Sequence, residues 1–161
     1  MDAQQIFGTQ VLLSTVLYVL IAIWYVWPRL AHLPLEDALQ PLVALHATRH
    51  IGLVFLVPTV VGTSVPRAFA APAAYGDLVA GLLALLALVA LHQRWGAALA
   101  ITWILNVEGV LDLLYAMSTG VRLQVEIGAA YYIPTVIVPA LVVSHLMMLA
   151  LLVRGRRARP A

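Results

Sequence analysis

LVALHATRHIGLVFLVPTVVG, running from Leu42 to Gly62, is the stretch whose reading decides the fold. It is mostly Leu, Val and Ala, and a helix rising ~1.5 Å per residue over this length reaches across a hydrocarbon layer of ~30 Å. Its first half nevertheless carries His46, Arg49 and His50. Ionisable groups are costly in hydrocarbon, so where they occur they face a protein interior and mark a site by default. Pro58 should kink the outer half and free the carbonyl of Val54. Read as a span, this segment makes the chain an all-α bundle of five transmembrane helices around a polar interior.

The other apolar runs supply the remaining helices, over Thr9–Leu30, Asp77–Gln93, Ala97–Met117 and Tyr131–Val153. Of 161 residues, 63% are hydrophobic and 10% charged, and the mean hydropathy is +0.99. That balance belongs to membrane proteins, and the polar connectors are too short to bury a core of their own. One membrane domain over residues 1–161 is expected, with 154–161 as a basic cytoplasmic tail. Met1–Gln10 lacks the basic start of a signal peptide, so the first run is read as a retained helix. There is no Cys, which excludes disulfides, thiolate metal sites and Cys nucleophiles. A pI near 9.3 carries no nucleic-acid signal, because four of the nine Arg crowd into the tail. With five spans, placing that tail inside also puts Arg29 and Arg94 inside and leaves Arg67 and Arg122 outside. The positive-inside rule then gives N-terminus out and C-terminus in. All basic residues are Arg, in an Ala-, Leu- and Val-rich chain, which suits a bacterial inner membrane.

Local signals fill in the bundle. Ser14, Tyr18 and Tyr25 fall on one stripe of the first helix, expected to face inward, with Trp24, Trp27 and Arg29 as an interfacial anchor. Leu30–Pro41 reads as a connector, and Pro41 as the first turn of the second helix. Asp77 is placed to cap the third helix, whose interior offers no chemistry and is expected to face lipid. The fourth helix is polar on two sides, with Glu108, Asp112 and Tyr115 on one and Thr102, Asn106 and Gly109 on the other, so it is expected at the centre. Val121–Ile127 alternates apolar and polar residues, a period of two that argues for an extended segment, on the bundle mouth, folded on itself, or paired across a dimer.

Depth brings the polar residues together. His50, Asn106 and His145 each lie ~13 Å from the cytoplasmic end of their helices, with Glu108 at ~16 Å. His46, Arg49 and His50 share one α-helical face at i, i+3 and i+4.

Several chemistries fit. Two imidazoles from different helices at matched depth suit b-type haem, ligated by His50 and His145, with His46 or Arg49 meeting a propionate, for electron transfer, for instance to a quinone, or haem handling. His46, His50, His145 and Glu108 alternatively suit zinc or non-haem iron. Without a metal, Glu108 and Asp112 with a His could move protons on a lipid-soluble substrate. A carrier or partner subunit would use the same slab as a proton or solute path. Packing alone would pair Arg49 with Glu108 or Asp112 and let the other polar groups hydrogen-bond across helices.

Overall fold

A computed structural model describes residues 1–157, the last two by backbone alone. Of the expected basic tail, Arg159 and the side chains of Arg156 and Arg157 lie outside the described residues. Among the described residues every regular element is helical. Four helices are long and apolar enough to cross a membrane: α1 (Ala3–Leu30), α4 (Arg67–His92), α5 (Ala98–Arg122) and a last segment, Gly128–Gly155. Its regular part is α6 (Val138–Arg157).

The segment around Leu42–Gly62 is built differently from the single α-helix expected. Helix α2 (Leu35–Ala47) starts inside the presumed connector, so Pro41 lies within it rather than in its first turn. The chain then tightens into a 3-10 helix over Thr48–Leu56, and a short helix α3 (Pro58–Val61) follows. With three residues per turn, i and i+3 eclipse. Arg49, Gly52 and Phe55 therefore stack on one face, and that face is the buried one. Because the winding changes after Ala47, His50 does not stay on the face of His46. It is exposed, and its Nδ1 lies 3.0 Å from the Ala47 carbonyl of its own turn.

Helix α1 begins at Ala3 because Asp2 and Gln5 form a capping box, each side chain reaching the other's backbone N–H at 2.8 and 3.1 Å. No side chain of Ala3–Ile21 is buried. Ser14 and Tyr18 are half-buried and Tyr25 is exposed, so the expected inward stripe is partial. The wide π turns at Ala22–Val26 and Ile133–Ile137 share a cause. Each precedes an X–Pro pair, Trp27–Pro28 and Val138–Pro139, whose first residue donates its N–H five residues back, to Ala22 and Ile133. A proline ring cannot sit against the carbonyl four residues behind it, and the wider turn relieves that clash.

Helix α4, expected to start at Asp77 and to face lipid, starts at Arg67 and occupies the centre. It packs against the 3-10 helix, α5 and α2. A stripe of small residues, Ala73, Ala80, Ala84 and Ala87, is fully or nearly buried and lets these neighbours approach. At Gly81 the backbone N of His50 comes so near that a Cβ would lie 3.2 Å from it. Helix α5 runs through Arg122, so Val121–Ile127 is a helix end and turn and not an extended segment. Its C-terminus turns at Gln124, φ +49°, where the N–H of Val125 bonds the Gly120 carbonyl at 3.1 Å. Arg94, φ +56°, ends α4 in the same way, with Trp95 N–H on the Ala90 carbonyl at 2.9 Å.

Contacts define the two ends of the bundle. At one, Arg94 pairs with Asp37 at 2.5 Å and Glu36 at 3.6 Å, and Arg154 lies 5.4 Å over the Trp27 ring. At the other, Phe7 meets Tyr131 with ring centroids 5.8 Å apart. Two apolar clusters fill the interior. The larger gathers Leu39, Val43, Leu91, Leu105 and Met148. The smaller gathers Phe55, Phe69, Ala73 and Ile127.

Candidate functional site: a guanidinium clamped by two carboxylates

Between those clusters lies a layer of polar side chains centred on Arg49. Its side chain has no exposed surface. Nε donates to Asp77 Oδ1 at 2.8 Å, Nη1 to the Gly109 carbonyl at 3.2 Å, and Nη2 to Asp112 Oδ2. Asp77 lies ten residues into α4 and Asp112 ten residues before the end of α5, so both sit at a depth of ~15 Å. Antiparallel helices thus bring the two carboxylates to one level. The rigid fork of a guanidinium can then hold both and a carbonyl at once.

Glycines make the room. A Cβ at Gly52 would fall inside the Asp77 carboxylate, and one at Gly76 inside that of Asp112. At Gly109 it would lie 2.6 Å from His145 Cε1 and 2.9 Å from Arg49 Nη1. Each polar side chain therefore lies flat on a neighbouring helix where no side chain stands.

On the far side of Gly109, His46 and His145 are in contact, with ring centroids 4.0 Å apart and planes tilted by 43°. His46 Nε2 is 2.6 Å from Ser144 Oγ, and His145 Nδ1 is 2.9 Å from Asn106 Oδ1. Since Asn106 Oδ1 can only accept, His145 Nδ1 carries the proton. His46 Nδ1, His145 Nε2 and Glu108 Oε2 are buried with no hydrogen-bond partner among the described residues. Glu108 is half-buried and interacts electrostatically with Arg49, Asp112 and Asp77.

The candidate residues thus separate into groups. Arg49 and Asp112 come together directly, with Glu108 beside them. His46, His145 and Asn106 form the adjoining cluster. His50 belongs to neither, so the expected convergence of His50 and His145 on one cofactor gives way to contact between His145 and His46. Two imidazoles bound to opposite faces of one iron hold their ring centroids ~6 Å apart, given metal–nitrogen bonds of ~2.0–2.1 Å. At 4.0 Å this tilted pair is too close for a haem between them. Among the described residues, no three His or carboxylate side chains are grouped to hold a metal ion. Asp77 was the residue missed. Its signal was its place on the stripe of Ala73, Ala80 and Ala84, which an assignment as helix cap obscured.

A cavity of about 590 Å³ adjoins the clamp. Its wall includes Phe7, Phe55, Phe69, Ala116, Met117 and Tyr131, and it ends on Asp77 and Asp112. Exposed Gln4, Gln124 and Glu126 also line it, which places its mouth at the bundle end opposite Arg94 and Arg154. Arg49 is absent from the wall, whereas the Asp77 and Asp112 side chains retain 13% and 12% exposure. The cavity sees the carboxylates and not the cation that orients them.

No curated protein and no solved structure matches the chain. The family model described as Domain of unknown function (DUF8737) matches residues 6–153, nearly the whole length. The chain belongs to that family.

Proposed function

We propose that this is an integral membrane protein that takes a lipid-soluble small molecule into the cavity and presents its polar group to Asp77 and Asp112. One observation carries the reading: an apolar chamber of about 590 Å³ reaches two carboxylates held well inside helices long enough to span a membrane. Small-molecule sites are largely apolar concavities with a few convergent polar groups. Asp112 and Asp77 are acceptors and proton carriers within reach of such a ligand, and acid–base chemistry on it is the reaction class the arrangement supports. Glu108 stands beside them as a third carboxyl group. A haem held between His46 and His145 would require the two rings to part.

The five-span topology belongs to this proposal. Helix α2 and the 3-10 helix together extend ~38 Å, counting ~1.5 and ~2.0 Å per residue, which suffices for a fifth crossing. Arg29, Arg94 and Arg154 at one end against Arg67 and Arg122 at the other put the first end in the cytoplasm of a bacterial inner membrane. The cavity mouth then opens on the outer side.

The test is to purify the protein in lipid nanodiscs and identify co-purified small molecules by native mass spectrometry, alongside Ala116→Phe, which puts an aromatic ring into the chamber. A bound molecule present in the parent and lost from the folded variant supports the reading. Identical spectra for both would overturn it.

A further inference from the structure

We infer that the ligand of this cavity is a lipophilic amine, bound as its ammonium ion; this rests on the cavity being the ligand site. The clamp holds one guanidinium against two carboxylates, with Glu108 as a third acid interacting with the same three groups. With all three acids ionised they would outnumber the one guanidinium, and an incoming cation would supply the missing charge where solvent is scarce. The clamp's one strong cation is turned away from the chamber, with no exposed side-chain surface. Each Asp gives one oxygen to Arg49, leaving the second unengaged by it. A carboxylate only accepts hydrogen bonds. A ligand ending in a carboxylate, phosphate or ester oxygen would meet acceptors with acceptors, while an ammonium group brings both donors and the missing charge.

The rest of the wall agrees. Phe55 and Phe69 meet edge to face at 5.5 Å, and Phe7 and Tyr131 do so at 5.8 Å. All four line the chamber. Between the mouth and the carboxylates these rings suit the hydrocarbon tail of such an amine.

The experiment measures binding of dodecylammonium, dodecanol and dodecanoate to the full-length protein in nanodiscs of neutral lipid, by native mass spectrometry. The parent, Asp112→Asn and Ala116→Phe are compared, each first shown to be monodisperse by size-exclusion chromatography. The expected result is dodecylammonium bound at least tenfold more tightly than either relative. Asp112→Asn, which leaves Arg49 with a single counter-ion, should weaken dodecylammonium at least tenfold and leave dodecanol unchanged. Ala116→Phe should weaken it as well. Dodecanol or dodecanoate binding as well as dodecylammonium, with loss in Ala116→Phe, would overturn the choice of amine and leave the cavity reading standing. Binding of any probe that ignores Ala116→Phe, or no binding at all, would overturn both. If Asp112→Asn does not yield monodisperse protein, Asp77→Asn takes its place with the same expectation.

Discussion

The carboxylate of Asp77 occupies the volume that a side chain at residue 52 would fill, because Gly52 faces it from the 3-10 helix. The ion pair between Arg49 and Asp77 thus depends on a residue that takes no part in it. Gly52→Ala should push α4 and the 3-10 helix apart and destabilise the protein by about 1–3 kcal/mol, as overpacking does. Gly8→Ala, where an added Cβ meets nothing within 4 Å, should be neutral or slightly stabilising. Thermal unfolding in detergent separates the two, and equal midpoints would contradict the close approach.

Charge counting ranks the clamp variants. Arg49→Ala leaves two buried carboxylates facing each other and should cost about 3–5 kcal/mol. Asp77→Asn keeps Arg49 paired with Asp112 and should cost distinctly less. Arg49→Lys should resemble the alanine variant more than the parent, because a point ammonium cannot span Asp77, Asp112 and the Gly109 carbonyl as the fork does. Chemical denaturation of the three variants gives the order, and Asp77→Asn falling below Arg49→Ala would refute it.

The histidines should respond in opposite ways. Asn106→Leu removes the acceptor of His145 Nδ1 and strands a buried donor, at about 1–3 kcal/mol. His50→Ala touches an exposed ring bonded only within its own turn, and should lie within about 0.5 kcal/mol of the parent. A larger loss for His50→Ala would restore it to the interior.

Gln124 holds the left-handed conformation that closes α5. Gln124→Gly should stabilise by about 1 kcal/mol, since glycine adopts that conformation without the Cβ clash. An unchanged or lower melting temperature would show that the side chain contributes more than its strain costs.

The membrane class, the long apolar helices and the pairing of Arg49 with an acid of the Asp112-bearing helix were legible in hydropathy and in the rarity of charge. The winding was not. Leu42–Gly62 has the length of an α-helix, and nothing in its periodicity announces the change at Thr48 that turns His50 outward and stacks Arg49, Gly52 and Phe55. That change depends on close contact with α4 at Gly81, a tertiary fact. Asp77 was misplaced for a related reason. A residue preceded by Gly and followed by an apolar run resembles a cap until its register with Ala73, Ala80 and Ala84 is noticed. The alternation of Val121–Ile127 imitated a strand because the end of one helix, a turn and a loop happened to share it.

The order of the clamp along the chain bears on biogenesis. Arg49 precedes Asp77 by 28 residues and Asp112 by 63. When the segment bearing Arg49 leaves the ribosome, no counter-ion has yet been made, and a lone arginine at the helix centre costs ~2.5–3.5 kcal/mol on insertion scales. On the proposed five-span topology, stable lodging of that segment in the bilayer has to wait for the helix that delivers Asp77, so the two should partition from the translocon as a hairpin rather than one after the other.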